Sequence, residues 1–172
     1  DNCIIDCETE TGGISLRGDA ESQLIGITFI NTGSNSISSP STIRNCVFTR
    51  STSCAMFCRD RNSRFFDCEF SSSSGMQVPP NIYYSPLHTQ HCDPYFENCV
   101  FKDNNHFADG GAVNTFNSYP EFVNCTFENN FASGDGGAVA GYGIFTNCMF
   151  IGNEANFSSG AIDGGGTITN CT

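Results

Sequence analysis

A short sequence pattern occurs three times in the second half of the chain and constrains the fold more than any other feature. Each copy is a Phe-x-Asn-Cys-x-Phe hexapeptide, and the copies begin at Phe96, Phe122 and Phe145. In each copy the second Phe comes nine residues before a Gly-Gly-Ala or Ser-Gly-Ala tripeptide. A pattern repeated at a fixed period of this kind is typical of solenoid proteins, in which every repeat forms one structural unit.

Weaker copies extend the pattern over the whole chain when all copies are aligned on the Cys. The residue before the Cys is always Asn, Asp or Gly, the types that adopt the left-handed backbone conformation at the lowest cost. These corner residues are Asp6, Gly26, Asn45, Asp67, Asn98, Asn124, Asn147 and Asn170. The aligned position itself holds Cys7, Ile27, Cys46, Cys68, Cys99, Cys125, Cys148 and Cys171. The corner residues recur about every 23 residues, which is a solenoid period.

The spacing within a copy predicts two strands joined by a bend. The Cys and the second Phe are two residues apart, so they point to the same face of a strand. The large apolar residue three positions before the Cys can share that face only if the chain bends at the intervening Asn. With a third strand from the Gly-Gly-Ala-Val segment, the pattern predicts one all-β domain over residues 1–172. We expect about seven coils of three short strands each, with ladders of stacked Cys, Phe and Asn side chains.

Two tetrapeptides occur together in each strong copy and resemble the repeat of the polymorphic outer membrane proteins, a family best known from chlamydial surface proteins. The first is Phe-x-x-Asn, at Phe101, Phe127 and Phe150, and the second is Gly-Gly-Ala-Val or Ser-Gly-Ala-Ile. The strong match covers residues 95–172, and the first 94 residues keep only the corner and ladder pattern. The resemblance implies a right-handed parallel β-helix with a surface-exposed adhesive or structural role. A fragment of a longer solenoid and a secreted relative of the family are both compatible with it.

The coil between Asp67 and Asn98 is the longest and contains an insertion. Four of the six prolines lie between positions 79 and 94, which predicts an irregular loop over residues 71–94. Cys54, Cys58 and Cys92 lie outside the Cys ladder, and we predict that a Cys54–Cys58 or a Cys58–Cys92 disulfide holds this coil together. The ladder cysteines are predicted to be core residues, with oxidation of neighbouring pairs as the alternative.

Composition excludes some partners and favours an extracellular or cell-surface location. The formal net charge of −11 argues against nucleic acid and anionic membranes, because both need a basic surface. No apolar run has the length that membrane insertion requires. The eleven cysteines suggest disulfides, and three glycosylation sequons, at Asn124, Asn156 and Asn170, are compatible with a secreted glycoprotein.

Two further motifs have a functional and a structural interpretation. His88, His91 and Cys92 could bind zinc, but their spacing fits no closed four-ligand pattern, and a polar loop is the favoured interpretation. The tripeptide Arg17-Gly-Asp19 is a motif that integrins recognise, and it is equally compatible with a tight turn. We therefore predict no metal and no cofactor.

An enzyme is the competing class, because many parallel β-helices cleave acidic polysaccharides with carboxylates and a cationic side chain. Asp109, Asp135 and Asp163 occur once per coil beside the Gly-Gly positions, and such repetition is typical of structure rather than of an active site. Five arginines between positions 44 and 64 lie several coils away. We therefore expect no enzyme, and keep polysaccharide binding or cleavage as the alternative. A groove that combines non-repeating carboxylates with an Arg would favour that alternative.

The favoured prediction is an extracellular structural or adhesive protein that assembles end to end into a surface fibre. The chain starts and stops within a repeat, and both ends of such a β-helix expose open strand edges. Pairing of identical chains through unlike ends produces a filament. Residues 1–64 carry a net charge of −1 and residues 65–172 a net charge of −10, which favours head-to-tail contacts. The expected partners are copies of itself, other surface proteins and glycans.

Overall fold

The protein is a right-handed parallel β-helix. The computed structural model describes residues 3–7, 15–16, 22–33, 35–37, 41–60, 62–78 and 82–172. In these ranges every coil contributes one strand to each of three parallel sheets of seven strands. A smaller parallel sheet contains Asn105–His106, Phe131–Ala132 and Glu154–Ala155. The prediction of seven coils is confirmed, with three strands in most coils and a fourth, two-residue strand in three of them. The same ranges contain no helix that is long and apolar enough to cross a membrane.

The sheets are numbered in the order in which one coil passes through them. Sheet 1 precedes the Asn corner and contains Ser22–Ile25, Ser41–Arg44, Arg64–Phe66, Tyr95–Glu97, Glu121–Val123, Gly143–Thr146 and Gly166–Thr169. Sheet 2 follows that corner and contains Cys3–Asp6, Ile27–Ile30, Val47–Thr49, Glu69–Ser71, Val100–Lys102, Thr126–Glu128 and Met149–Ile151. Sheet 3 contains Ser15–Leu16, Ser36–Ile37, Met56–Arg59, Leu87–Gln90, Val113–Phe116, Val139–Ala140 and Ile162–Asp163.

The Asn corner joins sheet 1 to sheet 2 through one residue in the left-handed conformation, as predicted. Asn98, Asn124 and Asn147 have φ angles of 54°, 53° and 54°. The same sign of φ occurs at Gly26, Asn45, Asp67 and Asn170. The side chains form a ladder on the surface, in which Nδ2 of Asn124 donates to Oδ1 of Asn98 at 3.4 Å and Nδ2 of Asn147 donates to Oδ1 of Asn124 at 3.2 Å.

A second one-residue corner ends six of the seven strands of sheet 2 and was not predicted. It lies two residues after the Phe of the repeat. The residues are Asn31, Arg50, Ser72, Asp103, Asn129 and Gly152, all with positive φ. Most side chains adopt this conformation only at a cost. Because the residue type changes from coil to coil, no conserved column of Asn marks this corner in the sequence.

Two files of Phe rings fill the core. In the sheet 2 file, Phe127 is fully buried and stacks on Phe101 and on Phe150, with ring centroids 4.8 Å apart in both pairs. Phe150 is only partly buried. The sheet 1 file includes Phe122, whose ring meets Phe127 edge to face at 5.4 Å. The ladder cysteines pack beside these rings, and the Cys125 thiol donates to the carbonyl oxygens of Phe96 and Val123.

The Asn of the Phe-x-x-Asn tetrapeptide forms a third ladder, inside the core. Nδ2 of Asn130 donates to Oδ1 of Asn153 at 2.9 Å and to the Phe101 carbonyl oxygen at 2.9 Å. Asn104 makes the same contacts one coil earlier, with Oδ1 of Asn130 at 3.0 Å and with the Phe70 carbonyl. Buried amides are stable only when their hydrogen bonds are made, and this ladder makes them along the helix axis.

Two predictions about local structure are wrong. In the first repeat, Cys3 pairs with Ile27 and Ile5 with Phe29, so the aligned position is Cys3 rather than Cys7, and Asp6 ends a strand instead of forming a corner. The segment 71–94 is also more regular than an irregular loop. It contains the antiparallel hairpin Met76–Val78 and Ile82–Tyr84 and the sheet 3 strand Leu87–Gln90.

Candidate functional site

On the outer face of sheet 1, neighbouring coils carry different side chains. In the strands of Phe65, Phe96 and Phe122 this Phe points into the core, so the residues on either side of it point outward. One outward row places Arg64, Tyr95 and Glu121 side by side on three successive strands. The adjacent row places Phe66 beside Glu97. A cation, aromatic rings and carboxylates thus meet on one exposed surface.

These side chains surround a hollow of about 510 Å³, called the sheet 1 hollow below. Its lining residues are Asn62, Ser63, Arg64, Phe66, Asp93, Tyr95 and Glu121. The rings of Phe66 and Tyr95 lie 5.9 Å apart at an interplanar angle of 52°. The Arg44 guanidinium lies 3.9 Å from the centroid of the Phe66 ring, which holds that ring in place.

One hydrogen bond orients the Tyr95 hydroxyl in the sheet 1 hollow. The Tyr95 hydroxyl donates to Oε2 of Glu97 at 3.1 Å. Desolvation, together with this hydrogen bond, raises the pKa of Tyr95 above its usual value, so the hydroxyl keeps its proton. Among the described residues, neither Arg64 nor Glu121 forms an ion pair. Both side chains are exposed and therefore available to a ligand.

A column of residues at the turn from sheet 3 to sheet 1 borders the hollow. This corner column consists of Asn62, Asp93, Tyr119, Tyr142 and Gly165, one from each of five successive coils. Oδ1 of Asn62 accepts the Asp93 backbone N–H at 2.7 Å, and Oδ1 of Asp93 accepts the Tyr119 backbone N–H at 2.6 Å. The side chains of Asn62 and Asp93 thus hold the backbone of the next coil in place. Tyr119 and Tyr142 occupy the next two positions of the column.

The two tyrosines belong to a second hollow of about 360 Å³ on the other side of the corner column, called the tyrosine hollow below. Its lining residues are Thr115, Phe116, Asn117, Ser118, Tyr119, Gly141 and Tyr142. The rings of Tyr119 and Tyr142 lie 5.4 Å apart at an angle of 45°. Tyr119, Tyr142 and Phe116 are 55%, 52% and 51% exposed, so about half of each side chain is accessible to a ligand.

All eleven cysteines lie in the described part of the chain and are free thiols in this structure, so the Cys54–Cys58 and Cys58–Cys92 disulfides stay predictions. Cys54, Cys58 and Cys92 are buried, and the Cys92 thiol donates to the Cys58 carbonyl oxygen at 3.2 Å. Burial raises the pKa of Cys54 to about 12. The strand Leu87–Gln90 pairs with sheet 3 neighbours on both sides, so main-chain hydrogen bonds hold the long coil together without a bridge.

The zinc candidates are separated by the fold. His88 faces outward from sheet 3 beneath the hairpin, where it stacks on Phe57 at 5.4 Å and meets Tyr84 edge to face at 5.0 Å. His91 is an exposed corner residue, and Cys92 turns into the core. In the described part of the chain, no three His, Cys, Asp or Glu side chains are close enough to share a metal ion. The predicted polar loop is wrong at His88, which lies in a strand.

The remaining candidates have the following positions. Asn124, Asn156 and Asn170 are exposed, and their glycosylation stays a prediction. Oδ1 of Asp109 accepts the backbone N–H of Asp135 at 2.9 Å, which is a structural contact between coils. The tripeptide at residues 17–19 lies outside the described residues. The sheet 1 hollow was not among the predicted sites, although Arg64, Tyr95 and Glu121 break the repeat in the aligned sequence.

Comparison with known proteins gives one match. The family model described as the right-handed beta helix region matches residues 38–172. A search of curated proteins and a search of solved structures give no match.

Proposed function

Because the chain belongs to the right-handed β-helix family, we propose that it uses the outer face of sheet 1 as a binding surface and that its ligand is a neutral polysaccharide. In this proposal the protein is an extracellular, adhesive β-helix. The observation that carries it is the sheet 1 hollow, in which one Arg, two aromatic rings and two carboxylates meet without repetition.

The chemistry of the sheet 1 hollow supports a sugar ligand. A sugar ring has apolar C–H faces and a rim of hydroxyl groups. Phe66 and Tyr95 supply aromatic surface for the faces. Arg64 donates hydrogen bonds, whereas the carboxylates of Glu121 and Asp93 accept them from hydroxyl groups. Most of the lining residues are polar and stand beside two aromatic rings, which suits a ligand that carries many hydroxyl groups.

The charge of the protein supports a neutral rather than an acidic polysaccharide. The formal net charge is −11, and the region from residue 65 onward contains eleven acids and a single Lys. A field of this sign repels polyanions. The carboxylates of Asp93 and Glu121, which line the hollow, and of Glu97 beside it outnumber the two arginines there, Arg64 and Arg44.

The surface role draws support from the sequence. Three strong copies resemble the repeat of the polymorphic outer membrane proteins, and that resemblance implies an exposed, adhesive protein. Carbohydrate binding gives such adhesion a chemical target. Assembly of copies end to end into a fibre stays a separate prediction, to be tested by electron microscopy of the native protein.

A glycan array tests the proposal. The whole chain should bind neutral polysaccharides and should not bind polygalacturonate. Tyr95→Ala should reduce binding at least about tenfold, equivalent to 1.4 kcal/mol. Phe157→Ala is the matched control, because this ring is 84% exposed and lies between sheets 2 and 3 of its coil.

Binding to no neutral glycan on the array would overturn the proposal, and so would equal losses in the two variants. We propose binding without cleavage. Mass spectrometry of the incubated oligosaccharides checks this point, since shortened products would assign the protein to the enzymes.

A further inference from the structure

The tyrosine hollow has properties that binding of a single sugar at the sheet 1 hollow leaves unexplained. Its three exposed rings lie next to backbone that is tightly constrained. A Cβ at Gly165 would lie 2.6 Å from a ring carbon of Tyr142, so this ring rests directly on the next coil. A side chain at Gly165 would displace it.

The backbone beneath Tyr142 is also held in place. Gly141 has a φ of 108°, which few residues other than Gly adopt. The Thr115 hydroxyl oxygen accepts the Tyr142 N–H at 2.7 Å, and its own proton goes to the Tyr142 carbonyl oxygen at 3.0 Å. The backbone of Tyr142 is therefore fixed and its ring lies against Gly165, which reduces the entropy lost when a ligand stacks on the ring.

The two hollows are neighbours across the corner column. Asp93 lines the sheet 1 hollow, and its carboxylate accepts the backbone N–H of Tyr119, which lines the tyrosine hollow. From the coil of Asn62 to the coil of Tyr142 there are three strand spacings, or roughly 14 Å. One sugar ring is much shorter than this distance, whereas a chain of several sugars spans it.

We propose that the ligand is an internal stretch of a flat, neutral, β-1,4-linked polysaccharide that runs from the sheet 1 hollow over Tyr119 to Tyr142. This inference rests on the proposed function and adds the length and linkage class of the ligand. A flat chain presents a C–H face on every sugar, and the path offers it Tyr95, Tyr119 and Tyr142 in succession. Both hollows are open depressions rather than enclosed cavities, so we expect the chain to continue beyond this path.

Calorimetric titration with two series of oligosaccharides tests the length of the site. The probes are chitobiose to chitohexaose and cellobiose to cellohexaose. In at least one series, affinity should rise at least about tenfold from the disaccharide to the hexasaccharide. A hexasaccharide methylated at its reducing end should bind equally well, because an internal stretch has no free end.

Two variants separate the hollows. Tyr142→Ala should remove most of the length-dependent gain and leave the disaccharide affinity unchanged, whereas Tyr95→Ala should weaken every probe. Tyr142→Phe keeps the ring and should behave as the natural protein. Circular dichroism of each variant verifies that the fold is retained.

The outcomes distinguish the two proposals. If the protein bound no neutral glycan on the array, both proposals would be overturned. Binding of array glycans with no affinity for either series, or equal affinity for disaccharide and hexasaccharide, would overturn only the extended site. The extended site would also be overturned if Tyr142→Ala left the hexasaccharide affinity unchanged.

Discussion

The two faces of sheet 1 differ although the same strands form them. In the strand Tyr95–Glu97, the inward Phe96 stacks on Phe65 and on Phe122, with ring centroids 4.6 Å and 4.9 Å apart. Identical side chains thus stack on one another from coil to coil. The outward Tyr95 has Arg64 on one neighbouring strand and Glu121 on the other. Inside the helix, stacking at strand spacing favours the same residue in every coil. Outside, nothing imposes repetition, so each coil can carry a different residue, and a cation, aromatic rings and carboxylates can meet on one surface.

The largest expected effect comes from a substitution in the repeating core, in the file of rings from sheet 2. Phe127→Ala removes a fully buried ring that stacks on two others and meets Phe122 edge to face, so unfolding free energy should fall by about 3–5 kcal/mol. Urea denaturation measures this change. Phe157→Ala, at an exposed ring, is the control and should change stability by less than about 0.5 kcal/mol. A similar, small effect of both substitutions would contradict the packing of the core.

A buried position outside the core sharpens the comparison. His88 points outward from sheet 3, yet the hairpin leaves it only 7% exposed. Burial, with a smaller effect of His106, lowers its pKa to about 4 from 6.5. The folded state thus favours the neutral ring, and this contribution is complete above pH 6.5 and lost as the pH falls through 4. By pH 4 the loss should reach about 3 kcal/mol.

Urea denaturation at pH 7 and pH 4 tests this prediction against His88→Phe, which keeps an aromatic ring against Phe57 and removes the titration. The variant should lose about 3 kcal/mol less between the two pH values than the natural protein. Carboxylates titrate in both proteins, so only the difference between them is informative. Equal pH dependence would show that His88 is accessible to protons in the folded state.

The inner Asn ladder gives the third prediction. Asn130→Ala leaves the Phe101 carbonyl oxygen without its side-chain donor and removes the acceptor of Asn104, at a cost of about 1–3 kcal/mol for buried unsatisfied groups. Asn130→Ser is the matched variant, because Ser51 and Ser73 occupy equivalent positions in earlier coils. Chemical denaturation should show a smaller loss for Ser than for Ala. The reverse order would argue against a hydrogen-bonded ladder.

The predictable parts of this molecule are those that repetition controls. The Asn corner could be read from the sequence because eight aligned positions share three residue types, and Phe127 because its neighbours are identical. The second corner was missed because Arg50, Ser72 and Asp103 have no common type. There the left-handed conformation follows from the closure of the coil, a tertiary effect that overrides local preference.

The candidate site was missed for a related reason. Arg64, Tyr95 and Glu121 are 26 to 57 residues apart in the chain, and only the register of sheet 1 makes them neighbours. Each of them stands three residues before an aligned corner residue, but the alignment alone did not indicate that their outward side chains line a hollow. The disulfide was predicted because a long coil was assumed to lack strands, whereas Leu87–Gln90 restores the main-chain hydrogen bonding.

The smallest expected effect on stability belongs to the non-repeating face. Arg64→Gln and Glu121→Gln replace exposed side chains that form no ion pair with any described residue, so each should change the unfolding free energy by less than about 0.5 kcal/mol. Each should nevertheless weaken binding of neutral glycan about tenfold, because a directed hydrogen bond to a charged group is lost. Parallel urea denaturation and calorimetry on both variants measure the two quantities. A stability loss comparable to that of Phe127→Ala would mean that these residues serve the fold, and the difference between the two faces of sheet 1 would then have no functional meaning.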